Sequence, residues 1–199
     1  MHVIVVVGKP SNEDSRKDRF EIAATNTILN LRIDFDMARK DDLSYVWGPA
    51  SRVQKRLEAI FLEKRDEDIC LFYFGHGAEY GWAMLGDRRP GSVLAYEDLR
   101  LTLAQHSGNL LFINAPCYAG AASDALEGHG GAHCLIALVP RDKCGYPENF
   151  IHSIFGSWRA RRFFNPRDPC FGNVEDNAPV VEGDIELQQL MFPKKEAFV

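Results

Sequence analysis

The stretch Ile69–Phe74 is apolar throughout and runs directly into Gly75, His76 and Gly77. An unbroken apolar run of strand length has no face left for water. It fits a strand covered on both sides, and such strands belong to parallel sheets flanked by helices. The two glycines are expected to let the backbone adopt conformations closed to other residues. His76 then stands where a buried strand breaks the surface. In open α/β sheets, that rim outside the carboxyl ends of the strands is where ligands bind. A histidine between glycines is also an ordinary turn, so His76 gains meaning only from a second residue beside it.

The rest of the chain repeats the alternation that a parallel sheet requires. Val3–Val7 reads as a β-branched strand, and 16–31 as a helix with Phe20, Ala24, Ile28 and Leu31 on one face. A short strand is expected near 32–38. A helix capped by Ser51 follows, with Val53, Leu57, Ile60 and Phe61 at helical spacing. After the strand at 69–75, WAMLGD (82–87) reads as a short extension. Tyr96, Leu99 and Leu103 mark a helix, with His106 suited to its C-terminus. NLLFINA (109–115) and HCLIALVP (133–140) are two further buried strands. A last helix from about residue 149 carries Ile151, Ile154, Phe155 and Trp158. This order predicts an α/β fold, a three-layer α/β/α sandwich around a mostly parallel sheet. A domain over 1–164 is expected, followed by a tail or clasp over 165–199 with an edge strand in IELQQLM.

Composition removes several classes. Of 199 residues, 46% are hydrophobic and 26% charged, ordinary for a globular protein. A net charge of −5 gives no reason to expect nucleic acid as a partner. The one basic cluster, RARRFFNPR (159–167), reads as a solvated helix end. No apolar stretch approaches the roughly 20 residues that cross a bilayer, so no membrane partner is expected. The N-terminus reads as a first strand rather than a leader. Five irregularly spaced cysteines without a C-x-x-C pair point to a reducing, cytoplasmic setting. His129, His133 and Cys134 are metal-ligand types, but no matching pair lies nearby, and neither a metal nor a cofactor is expected.

The second residue is Cys117. The strand NLLFINA ends in Pro-Cys-Tyr-Ala-Gly, so Cys117 leaves a strand's carboxyl end as His76 does. The intervening chain suits one crossover helix, which makes the two strands neighbours. Pro116 lacks an N–H and suits the end of a ladder. The small residues 119–122 leave Cys117 uncrowded at the start of a helix, where the dipole and a nearby imidazole favour the reactive thiolate.

CLFYFGHG followed by LLFINAPCYAG resembles the caspase-like cysteine peptidases, which include caspases, metacaspases and legumains. The likeness covers roughly residues 1–160, and Cys-x-x-Gly is closer to metacaspases and legumains than to the caspase signature. The resemblance implies a caspase-like fold and peptide-bond hydrolysis by a Cys-His dyad. Cys117 would be the nucleophile, His76 the acid and base, and the N–H groups of Gly77 and Cys117 the oxyanion site. The partner would be a protein or peptide substrate. Relatives carry an acidic residue or glutamine two positions before the cysteine, whereas this chain has Ala115, and Pro116 is also a departure. With Ala115 neutral in the substrate pocket, the residue accepted before the cut falls to the loops. Asp142 is the leading candidate for selecting a basic residue, with Asp124 and Asp87 weaker. Arg141 argues the other way, for an acidic one.

The short EGHGG link leaves little room for a cleaved linker, so a single-chain enzyme is expected. The acidic tail suggests a zymogen released by a cut at 159–162, made by this enzyme itself or by an upstream activating protease. Three other readings remain at this level. One is a catalytically silent scaffold or decoy of the same fold. Another is a flavodoxin-like binding domain, which needs a phosphate loop that GKPSNEDS, with one glycine and an acidic pair, does not supply. The third is a nucleic-acid module resting on the basic cluster alone.

Overall fold

The computed structural model of the chain describes residues 1–8, 17–35, 42–84, 92–144, 150–159, 164 and 179–188. Five parallel strands form the body of one sheet: β1 (His2–Val7), β2 (Leu43–Trp47), β3 (Ile69–Phe74), β7 (Leu110–Asn114) and β8 (His133–Ala137). A sixth strand, β9 (Val180–Gly183), pairs antiparallel with β8, giving the order β2-β1-β3-β7-β8-β9. Every residue of β1, β3 and β7 is buried, including the polar His2 and Asn114 at the ends of otherwise apolar runs.

Helices α1 (Lys17–Phe35), α2 (Ala50–Glu63), α3 (Tyr96–Leu103) and α4 (Phe150–Arg159) cover the sheet. The chain passes from β1 to β2 through α1, then back across β1 to β3 through α2. Right-handed crossovers in opposite directions put α1 and α2 on opposite faces. α1 packs with α4, and α2 with α3, which completes three layers. The α4 face is sealed by aromatic contact: Phe72 stacks on both Phe74 and Phe155, with centroids 6.2 and 6.4 Å apart. The expected three-layer, mostly parallel architecture is therefore the one the chain adopts.

Several local expectations give way. The segment expected as a strand near 32–38 is helical as far as Phe35, and the strand lies later, at Leu43–Trp47. β2 is the sheet's edge, so only Val46 is fully buried and its signal in the sequence is faint. On α1 Phe20, Ala24 and Leu31 are buried with the half-buried Ile28 packed against the core, as expected, and Thr27 joins them. Thr27 is tolerated there because its hydroxyl donates to the Ala23 carbonyl at 2.8 Å. α2 begins at Ala50 behind Pro49 with no side-chain cap, so Ser51 is not the cap residue.

The expected edge strand also moves. It falls at Val180–Gly183, while 185–188 turn back against α4. There the Gln188 side-chain oxygen accepts from the Trp158 indole at 3.1 Å and from the Phe164 N–H at 2.8 Å. This part of the tail thus closes the β8 edge. The other tail residues, the cluster at 160–163 and 165–167, and Asp87 lie outside the described residues. Among the described residues, no helix is long and apolar enough to cross a membrane.

Candidate active site

Register places the two singled-out residues on one rim. In the parallel pair β3–β7, Tyr73 lies opposite Asn114. His76 is three residues beyond the first and Cys117 three beyond the second, so both emerge at the same height. The Ala115 N–H still bonds to the Tyr73 carbonyl at 3.2 Å, so the strands part only after this point.

His76 does not sit in a loop. It opens a second, antiparallel three-stranded sheet of β4 (His76–Ala78), β5 (Gly81–Ala83) and β6 (Val93–Ala95). WAMLGD is thus partly the middle strand of this ribbon rather than a short extension, and its last three residues are not described. The ribbon is fastened to the main sheet by Tyr73, whose buried hydroxyl lies 2.8 Å from the His76 carbonyl and 2.9 Å from that of Ala83. The Tyr73 ring stacks on Trp82 at 4.3 Å, the two ring planes nearly parallel. Burial raises the Tyr73 hydroxyl pKa well above the ordinary tyrosine value, so it remains a donor.

The flanking glycines serve a different end from the one expected. Neither is among the positive-φ glycines of the described chain. Both are needed for close approach. A Cβ on Gly75 would overlap the Tyr73 hydroxyl and lie 2.7 Å from the ring carbon bearing it. A Cβ on Gly77 would overlap the Cys117 carbonyl oxygen and lie 2.8 Å from the Pro116 Cβ. The backbone of the His76 ribbon therefore rests directly on the turn that carries Cys117.

That turn is held from beneath by Asn114. Its side-chain oxygen accepts from the Trp82 indole at 2.9 Å, and its amide donates to the Ala119 carbonyl at 2.8 Å and to the Tyr96 hydroxyl at 3.3 Å. All of this is buried, so one side chain ties the ribbon, α3 and the cysteine turn together. Burial pushes the Tyr96 hydroxyl up to about 12, against a smaller lowering by its bond to Asn114.

Beyond Cys117 the expected helix is present as a 3-10 segment, Ala119–Leu126. Gly120 lets this segment lie against the loop after β8, since a Cβ there would lie 2.8 Å from the Arg141 backbone nitrogen. Tyr118 precedes the segment in the left-handed region, at φ 57°. That conformation costs a non-glycine residue on the order of 1–2 kcal/mol. It is offset here by a 2.6 Å bond from the Tyr118 N–H to the Lys143 carbonyl. The Tyr118 hydroxyl meets the Cys144 thiol, which raises its pKa, with Glu79 and Cys117 adding smaller negative fields.

His76 and Cys117 are both half-buried and open to a ligand. The Phe20 ring of α1 stands edge-on to the His76 ring at 5.0 Å, limiting the ways the imidazole can turn. Gly77 is partly exposed on the same rim. Ala115, by contrast, is 1% exposed, so its methyl has no surface to offer a substrate. Asp142 lies in a turn beyond β8, where strand alternation does not decide its direction, and its side chain is 71% exposed, 4.0 Å from Lys143 Nζ. Arg141 and Asp124 pair with each other at 2.6 Å and are also exposed. No buried carboxylate of the expected kind is therefore present at 124 or 142.

The histidines away from this rim serve structure. His106 is buried and donates from Nε2 to the Glu67 carbonyl at 2.8 Å, while its Nδ1 meets His129 Nε2 at 3.0 Å. It braces the turn after α2 instead of simply ending α3. His129 Nδ1 donates to the Gly131 carbonyl at 3.0 Å, and Cys134 is fully buried in β8. Sequence reading missed Tyr73, Asn114, Tyr118 and Cys144. The signal within reach was the polar Asn114 in an otherwise apolar strand.

No protein-family model matches this chain, and no curated protein does. Among solved structures it overlays on a secreted C11 cysteine protease from Bacteroides thetaiotaomicron, determined with an irreversible peptide inhibitor. The TM-score is 0.45 at 10% identity, covering 88% of this chain and 57% of that one. It also overlays on Raptor from Chaetomium thermophilum, with a TM-score of 0.42 at 7% identity, covering 70% of this chain and 16% of that one. The chain thus spans less than two thirds of either neighbour's length.

Proposed function

We propose that this protein is a caspase-like cysteine endopeptidase of the metacaspase-like kind. The observation that carries this reading is the seating of Gly77 against the Cys117 carbonyl, which holds His76 and Cys117 on one open rim. The Cys117 sulfur attacks the scissile carbonyl while its proton passes to His76. The imidazolium then protonates the departing amine, leaving an acyl-enzyme. Neutral again, His76 takes a proton from water as that water attacks the thioester. The N–H groups of Gly77 and Cys117 receive the negative oxygen in both halves. Tyr73 and Phe20 act as positioning residues for the imidazole.

A basic residue is preferred before the cut. In support, Asp142 adjoins Lys143, whose carbonyl accepts from the Tyr118 N–H, so the residue belongs to the loop that abuts the cysteine turn. A peptidyl chloromethyl ketone ending in arginine should alkylate Cys117 selectively over Cys70, Cys134 and Cys144, and His76→Ala should suppress the labelling. Labelling spread evenly over accessible thiols, and unaffected by His76→Ala, would remove the dyad from the account.

A further inference from the structure

Two backbone bonds fix how the cysteine turn meets the loop after β8. The Gly120 N–H donates to the Val139 carbonyl at 3.0 Å, and the Tyr118 N–H to the Lys143 carbonyl at 2.6 Å. The Tyr118 bond joins the Cys117–Tyr118 peptide to the Lys143–Cys144 peptide, so the Cα atoms of the two cysteines flank it. With standard backbone dimensions they lie within about 8 Å of each other. That range reaches into the window of about 4.4–6.8 Å that a disulfide spans.

The side chains agree with the backbone. Cys144 is exposed, and its thiol is met by the hydroxyl of Tyr118, the residue directly after Cys117. Cys117 is half-buried on the open rim. Cys70 and Cys134 are fully buried within the sheet and cannot compete for either. The four described cysteines are thiols.

We propose that Cys144 is a resolving cysteine, which closes a reversible disulfide with Cys117 under peroxide and so switches the peptidase off without destroying it. The inference rests on the reading of Cys117 as the nucleophile. In the first step the Cys117 thiolate attacks one oxygen of hydrogen peroxide. The S–O bond forms, the O–O bond breaks, and hydroxide leaves and is protonated to water. The sulfur is oxidised to a sulfenic acid as the peroxide is reduced. In the second step the Cys144 sulfur attacks the sulfenic sulfur and gives up its proton. The S–S bond forms, the S–O bond breaks, and a second water departs. A sulfenic acid left alone oxidises further to the sulfinic acid, which a thiol reductant does not reverse. Resolution by a neighbouring thiol prevents that loss, and reduction returns both cysteines.

The test treats the full chain with hydrogen peroxide, blocks remaining thiols, and maps peptides without reduction. A peptide pair linked through Cys117 and Cys144 is expected. Cys117 found mainly as sulfinic acid, or joined to another cysteine, would overturn the proposal. Activity is read in parallel: dithiothreitol should restore the treated wild type, while Cys144→Ser should recover about tenfold less. Equal recovery in the two proteins would also overturn it. Peptide mapping needs no peptidase activity. An absent disulfide in an active enzyme therefore refutes this switch alone, whereas a disulfide in a chain that cleaves nothing refutes the peptidase reading.

Discussion

Replacing Asn114 by leucine tests how the site is held together. The side chains are close in size, so cavity effects stay small. What changes is polarity. The Trp82 indole N–H, 2.9 Å from Asn114, and the Ala119 carbonyl, 2.8 Å away, both lose their partner in the buried core. Each orphaned group costs about 1–3 kcal/mol, or roughly 2–6 kcal/mol together. In a domain of this size 1 kcal/mol moves the thermal midpoint by about 2–4 °C, so a fall of roughly 5–20 °C is expected. Scanning fluorimetry reads this directly. A Trp82→Phe background removes the orphaned donor, so the double variant should lose less than the sum of the single ones, by on the order of 1 kcal/mol. A midpoint within about 2 °C of wild type, or strict additivity, would refute the idea that Asn114 ties the ribbon to the cysteine turn.

Gly77→Ala must push the ribbon off the Cys117 turn, and a displacement of about 1 Å at such a site costs on the order of 10²-fold in kcat/KM. Unchanged kcat/KM would show that the contact is incidental. Burial lowers the pKa of His2 from 6.5, so the folded state favours its neutral form. The unfolded chain then binds more protons below that value. Stability is fully present above it and declines as pH falls toward 5, and a thermal midpoint that rises in that interval would contradict this. A chain ending after Phe164 loses β9 and the Gln188 bonds to Trp158 and Phe164, and uncovers the β8 edge. A lower midpoint and a tendency to associate are expected, against unchanged behaviour in both if the tail is merely draped. Asp142→Ala should weaken cleavage after arginine by several-fold, modestly because the carboxylate is exposed. An unaltered preference would move the selection elsewhere.

What was legible in the sequence follows from burial. β3, β7 and β8 are continuous apolar runs because both faces of each are covered, and their carboxyl ends point out His76 and Cys117. β2 escaped notice because an edge strand buries little, leaving Tyr45 and Trp47 partly exposed. The turn into a helix after Cys117 is legible, but its small residues suit α and 3-10 winding alike, so the 3-10 form is not. The glycines at 75 and 77 were visible, but their purpose depends on Tyr73 folding back and on Cys117 arriving from another strand. Tyr118 and Cys144 are brought together by the bond from the Tyr118 N–H to the Lys143 carbonyl, between segments remote in sequence, and no local pattern encodes that.

The most direct measurement of the central claim is the rate at which the purified chain cleaves a library of peptides with arginine, lysine or aspartate before the cut. The wild type is compared with Cys117→Ala and His76→Ala at matched folded concentration. The account predicts cleavage after arginine or lysine by the wild type and a loss of several orders of magnitude in both variants, since the two residues act as one unit. Cleavage that persists at the wild-type rate in Cys117→Ala, or a wild type that cleaves none of the library while its site remains intact, would contradict it.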